Sequence, residues 1–183
     1  LTFDGTGAQS FTGTIDGGGA DQGEMIISNT SASGVTFNDA IGAGSALKAL
    51  TLNAGASARF NSDASFDMVT NNATGSIGVG VGATLTADSF TNSGTYTLQA
   101  DDADGALTSS DFGTLTDAGH DGTLTASNLN IDVTGNMSTG TAQLLTGITG
   151  NATAKSVTDN SLIYDFSVID SGANTDITVS QRD

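Results

Sequence analysis

The densest chemistry in the chain lies in "ADDADGALTSSD", residues 100–111, where Asp101, Asp102, Asp104 and Asp111 crowd hard oxygens around Gly105. Measured against the twelve-residue calcium-loop template, Asp102, Asp104 and Gly105 stand at the third, fifth and sixth positions. Asp111 stands at the twelfth, where a longer, bidentate Glu is usual, and Ala100 holds the first position with Asp101 beside it. No flanking helix is expected. A Gly turn carrying carboxylates suits a hard cation, so calcium is the expected ligand, held weakly, roughly in the 10⁻⁴–10⁻³ M range of extracellular modules. The alternative is an acidic solvated loop.

Other residue types with chemical potential point to weaker sites. "DGGGADQGE", residues 16–24, has the look of a calcium β-roll repeat, but it occurs once, and such repeats share ions only in tandem. His120 is the single His, flanked by Asp117 and Asp121 with Ser110 nearby in sequence. A Ser-His-Asp reading needs geometry that spacing does not supply, and a Gly-bracketed His reads as an exposed turn. Paired carboxylates would serve a glycosidase or lyase, yet the aromatics that usually hold sugars are few and fall at inward strand positions (Phe3, Phe11, Phe37, Phe60, Phe90). "GSIGVGVGATL", residues 75–85, lacks the Lys and following helix of a phosphate loop. No catalytic residue is therefore expected, and a carbohydrate-active β-helix enzyme is the minor alternative.

Composition narrows the class. Acids number 20 against 4 Lys and Arg, for a net charge of -16. Only Glu24 is Glu; the rest are Asp, a poor helix former whose short carboxylate favours turns. Four scattered cations (Lys48, Arg59, Lys155, Arg182) make no patch for phosphates, which argues against nucleic acid and anionic membrane surfaces. No apolar run approaches the roughly 20 residues needed to cross a bilayer, so no membrane insertion is expected. Cys and Pro are both 0, where about nine Pro would follow from average usage. Without Cys no bridge can form early, and without Pro no slow isomerisation delays folding, and both suit export as an unfolded chain. "LTFDG" opens directly in a strand and "DITVSQRD" stops just after one, so the expectation is a piece of something longer.

These groups must be carried by strands. Period-two alternation bounded by Gly, Asn, Asp and Ser marks short strands from end to end, among them "QSFTGTI", "GVTFNDAI", "LKALTLN", "ATLTADSFTN" and "GALTS". Gly-x-Leu-Thr recurs at Gly105, Gly113 and Gly122, and reads as a left-handed Gly corner, an inward Leu (Leu107, Leu115, Leu124) and an outward Thr. Inward residues are small, which suits a narrow coil stacked on itself better than a sandwich with its gap of about 10 Å. At roughly 20 residues per rung the chain would make about nine rungs, a rod about 40 Å long. The fold class expected is all-β: a parallel β-solenoid over residues 1–139, closed by a more apolar C-terminal β segment or cap over 140–183. In that tail Leu162, Tyr164, Phe166 and Val168 alternate.

"LTFDGTGAQSFTGTIDG", "GVTFNDAIGAGSALKALTLNAGASARFNSD" and "FTNSGTYTLQ" resemble the passenger repeats of bacterial autotransporters. They are also similar to filamentous-haemagglutinin-like and giant surface adhesin proteins. The shared phrasing is a Val-Thr-Phe strand, a Gly-rich corner, then Leu-x-x-Leu-Thr-Leu-x-Ala-Gly-Ala, and it covers residues 1–135. The resemblance implies an extracellular module at the bacterial cell surface, structural or adhesive, with no catalytic residues. The expected partners are neighbouring copies or flanking modules of a longer chain, with host or cell-surface glycans as further candidates. A self-assembling filament or surface-layer subunit with calcium-assisted contacts is the main alternative.

Overall fold

The computed structural model describes residues 1–19, 21–119, 129–148, 158–170, 172 and 174–183. Its strands are β1 (Thr2–Phe3), β2 (Gln9–Phe11), β3 (Gln22–Ile27), β4 (Val35–Phe37), β5 (Leu47–Leu52) and β6 (Ser57–Phe60). Then follow β7 (Ala64–Asn71), β8 (Ser76–Val79), β9 (Thr84–Asn92), β10 (Thr95–Ala100) and β11 (Thr114–Asp117). The last are β12 (Leu129–Val133), β13 (Gly140–Thr146), β14 (Thr158–Asp159), β15 (Tyr164–Asp170) and β16 (Asn174–Gln181). Among the described residues no α-helix occurs; a single 3-10 turn spans Ser109–Asp111.

Odd and even strands separate into two ladders. One sheet runs β1-β3-β5-β7-β9-β11-β13-β16-β15 and the other β14-β12-β10-β8-β6-β4-β2. Pairing is parallel throughout the second sheet, and in the first as far as β13. Each coil therefore adds one strand to each ladder, and the chain is a parallel β-solenoid. At β13 the direction reverses: β16 lies antiparallel on it, and β15 antiparallel on β16.

A third run of pairings gives the coil its corner. Ile15, Ile41, Ala64, Leu85, Leu115 and Leu145 stack in register from coil to coil. This corrects two expected strands. "QSFTGTI" and "GVTFNDAI" are each a three-residue strand, a bend, and a single bridging residue, Ile15 or Ile41. In β7 the inward-outward alternation slips at Asp67–Met68, which both point outward, so one continuous strand turns from one face to the next. β9 slips at the equivalent Asp88–Ser89. Because side chains alternate with period two, such a slip rotates everything beyond it and makes a corner without a loop.

Stacking puts like on like in the core. Phe37 and Phe60 are fully buried and lie nearly parallel, with ring centroids 5.1 Å apart and 13° between planes. Phe3 and Phe11 extend the column below, and Phe66 meets Phe60 edge-on at 6.1 Å. Above Phe60 the same register carries Val79, Leu98 and Ile131, all buried.

Two further expectations are corrected. Coil length varies along the chain: Ala58, Ile77 and Tyr96 stack 19 residues apart, but Tyr96 pairs with Leu129, 33 residues on. The chain thus makes seven parallel strands in each ladder rather than nine rungs, and the two antiparallel strands restore a nine-strand sheet about 40 Å long. The Gly-x-Leu-Thr phrases also differ from one another. At Gly113 the Leu is buried and the phrase is strand; Gly113 itself is required by close approach, since a Cβ there would lie 2.3 Å from the Val79 carbonyl oxygen. At Gly105, with φ +81, "GALTS" is loop and 3-10 turn, and Leu107 is only half-buried. The third phrase, with Leu124, lies outside the described residues. In the tail Tyr164, Phe166 and Val168 are half-buried, but Leu162 precedes the strand and is 88% exposed.

Candidate functional site

The acidic loop sits where the coil lengthens, between β10 and β11. Asp102, Asp104 and Asp111 each offer a carboxylate oxygen within 4.8 Å of the others. Asp102 is built into the loop: its Oδ1 accepts the N–H groups of Asp104 (3.2 Å) and Gly105 (2.7 Å), and its Oδ2 that of Ser138 (3.1 Å). The Ser138 hydroxyl, first among the causes, holds this carboxyl below the usual carboxylate range; burial opposes it, and the three backbone N–H groups add to it. Asp111, at the end of the 3-10 turn, accepts the N–H (2.6 Å) and hydroxyl (3.0 Å) of Thr108 on Oδ2. Asp104 is exposed and accepts the Ala106 N–H on Oδ1 (3.0 Å). Asp101 belongs elsewhere: its Oδ1 accepts the N–H of Asn136 (3.2 Å), under the next coil's turn.

Calcium takes six to eight oxygens at about 2.3–2.6 Å, so oxygens around one ion lie within about 5 Å of each other, and the trio meets that distance. It supplies only part of a coordination sphere. Several of its oxygens already accept N–H groups, so an ion here would keep much of its water.

The other sequence candidates are dispersed. In the 16–24 stretch Asp16 caps a corner, its Oδ1 accepting the Gly44 N–H (2.8 Å), and Glu24 pairs with Lys48 at 3.2 Å with both side chains more than half exposed. Such a pair contributes little to stability. Asp117 is fully buried, accepting the Gly119 N–H at 3.1 Å, while Ser110 is exposed on the 3-10 turn. His120 and Asp121 lie outside the described residues. Residues 75–85 form β8 and the turn into β9, packed as strand and corner.

Two features escaped the sequence reading. At the corner slip, burial pushes the Asp67 carboxyl up, reinforced by a hydrogen bond with Asp21 and by the charges of Asp21 and Asp88; its Oδ2 is buried without a partner. On the outer face of the second sheet, Ser10, Thr36, Arg59, Gly78, Thr97 and Asn130 form one register column. Around Arg59 and Gly78 this face is concave, about 360 Å³, lined by Thr36, Ser57, Ser76 and Thr97. A period of 19 applied to "SARF" and "SIGV" would have set Arg59 against Gly78.

Among the described residues no helix is long and apolar enough to cross a membrane. Compared with known proteins, no protein-family model and no curated protein matches the chain.

Proposed function

We propose that the chain is a stiff extracellular module of a bacterial surface protein, structural and adhesive rather than catalytic, working by shape and by what its outer faces hold. The observation that carries this reading is the pair of ladders, each with seven parallel strands, over one continuous core. Each coil contacts only its neighbours, so such a stack transmits load along its axis and holds its faces at fixed spacing. The acidic surface keeps it soluble. The likeness of its repeats to autotransporter passengers and giant adhesins supports the location, as does a chain without Cys or Pro. Flanking modules or neighbouring copies are the partners this reading expects.

A second reading, a self-assembling subunit, is favoured by one feature: at β15, the last strand of the first sheet among the described residues, Leu162, Ile163 and Ile169 are 88, 57 and 50% exposed. Calcium at Asp102, Asp104 and Asp111 would belong to either reading. Electron microscopy with and without millimolar calcium separates them. Isolated short rods in both conditions are expected. Filaments or sheets would replace the first reading by the second, and polysaccharide turnover abolished by a carboxylate variant would overturn both.

A further inference from the structure

We propose that β15 is a docking edge for a second copy of this chain, paired antiparallel across a two-fold axis at Phe166. The inference gives the exposed residues of this edge a closed partner, and it rests on neither reading above.

The edge is the first observation. β15 ends the first sheet, and among the described residues only β16 pairs with it. Tyr164 and Phe166 pack on the core, yet they and Val168 are only half-buried, as befits a strand covered on one side. Arg182 donates its backbone N–H to the Ile163 carbonyl (2.7 Å). Bonded residues alternate in an antiparallel pair, so Ile163, Asp165, Ser167 and Ile169 bond toward β16. Tyr164, Phe166 and Val168 then aim N–H and C=O away from it. Tyr164 is met there: its N–H donates to Ser161 Oγ (2.9 Å), and its carbonyl accepts from Arg182 Nη2 (3.1 Å). Among the described residues no bond reaches Phe166 or Val168 on that side. Such open groups are a template for another strand.

The sequence of the edge is the second, independent observation. Residues 163–169 read Ile-Tyr-Asp-Phe-Ser-Val-Ile, nearly the same in type from either end. Folded on itself about Phe166, the strand sets Ile163 against the partner's Ile169, Tyr164 against the partner's Val168, and Asp165 against the partner's Ser167. Apolar then meets apolar on both faces, in the directly opposed positions where cross-strand pairs stabilise a sheet. Ile163 and Ile169, 57 and 50% exposed, would cover each other. Phe166 would exchange both backbone bonds with the partner's Phe166, and the Val168 N–H would reach the partner's Tyr164 carbonyl. Other registers are worse. A slip of one residue sets inward side chains against outward ones. An axis at Asp165 sets acid on acid, and one at Ser167 sets Asp165 on the partner's Ile169.

Charge also selects this edge. A net charge of -16 opposes contact between copies. Here the acids are answered: Arg182 lies 2.7 Å from Asp165 and 3.7 Å from Asp159. Asp170 falls opposite the partner's Leu162, so no acid of the strand faces another. A near-palindrome fits its own copy better than a foreign strand. A two-fold contact uses the same patch on both chains and is closed, so it makes pairs of rods and no filament.

Sedimentation of the full chain tests the pair. The average mass should climb from one copy, 18.1 kDa, toward two as concentration passes roughly 100 µM. Ile169→Asp sets a charge against the partner's Ile163 and should weaken pairing at least about tenfold. The chain has no Cys, so introduced thiols report the register. Mixed under diamide, Ile163→Cys and Ile169→Cys chains should cross-link to each other, because the two positions would face at about 4.5 Å between Cα atoms. Either variant alone should stay single, since its own two thiols would lie about 20 Å apart. Both positions are at least half exposed, so the substitutions leave the fold intact. A mass fixed at one copy, an unchanged rise in Ile169→Asp, or equal cross-linking of either variant alone would overturn the pair. Growth beyond two copies would overturn its closure. Single rods in microscopy are compatible with the first three outcomes, so the module can stand while the pair falls.

Discussion

Two stretches of the coil carry the same ladder with different spare length. From Ala58 through Ile77 to Tyr96 each turn takes 19 residues, and nearly every one is in a strand or a tight corner. From Tyr96 to Leu129 a turn takes 33, and the surplus includes the acidic loop and its 3-10 turn. In the short coils inward residues meet direct stacking partners above and below. In the long coil Leu107 is half-buried, and the loop is organised by carboxylates accepting backbone N–H groups. Apolar stacking sets the register in the first stretch, and side-chain-to-backbone hydrogen bonds set the shape of the second.

The largest effect expected of this difference is in stability. Phe60→Ala removes a fully buried ring between Phe37 and Phe66 and should cost about 3–5 kcal/mol in chemical denaturation. Leu107→Ala in the long coil should cost about 1 kcal/mol or less. Equal losses would mean that the loop is as much part of the core as the aromatic column.

The same contrast governed what could be read from sequence. Strand type was legible in the short coils, because alternating Val, Phe, Leu and Thr between Gly and Asn is a local signal; it failed at "GALTS", which is loop and 3-10 turn. The solenoid was legible from small inward residues. Corners were not: "GVTFNDAI" keeps its apolar beat through the bend, because Ile41 stays inward after the chain has changed face. The acidic loop was legible as a cluster but not as a geometry. Asp101 and Asp102 are adjacent in sequence and both reach the next coil's turn, at Asn136 and Ser138, but only Asp102 also accepts N–H groups of its own loop, a difference that depends on which coil lies above. Arg59 and Gly78 were invisible as a pair because they meet only through register.

A second prediction compares two equivalent turns among the short coils. Asn53 and Asn72 each accept, through their carbonyl oxygens, the N–H three residues on, from Ala56 and Gly75. The third position of the first turn is Gly55 with φ +76; in the second it is Thr74 with φ +61. A β-branched residue is strained there, so Thr74→Gly should stabilise by about 1 kcal/mol, and Gly55→Thr should destabilise by at least as much. No gain in Thr74→Gly would mean that the glycine's greater freedom in the unfolded chain offsets the relief of strain.

The long coil makes a smaller, ligand-dependent claim. Calcium at five times its Kd should stabilise the folded chain by about 1 kcal/mol, seen as a rise in melting temperature. Asp104→Ala should remove that rise, and Asp101→Ala should keep it, since Asp101 lies outside the trio. Loss of the rise in both variants would shift the site toward Asn136. An unchanged rise in Asp104→Ala would retire the loop as a calcium ligand.

The smallest effect sets one acid of each stretch against the other through pH. In the fold Asp67 stands above the ordinary value of 3.8, because burial disfavours its charge and Asp21 and Asp88 add to that. It therefore holds its proton to higher pH when folded than when unfolded. Its favourable contribution is complete below the unfolded value and is lost as pH rises through the folded one, leaving a net cost at neutral pH. Asp102 has the opposite sign. Its folded value is lowered, first by the Ser138 hydroxyl, so its contribution is present above the unfolded value and lost as pH falls through the folded one. Asp67→Asn should then raise the melting temperature slightly at pH 7, with the gain shrinking toward pH 3. Asp102→Asn should lower it at pH 7, with the loss shrinking over the same acid range. Parallel slopes in the two variants would mean that the short coil's corner tolerates its acids as well as the long coil uses its own, and the division of labour between apolar stacking and carboxylate bonding would not extend to the corners.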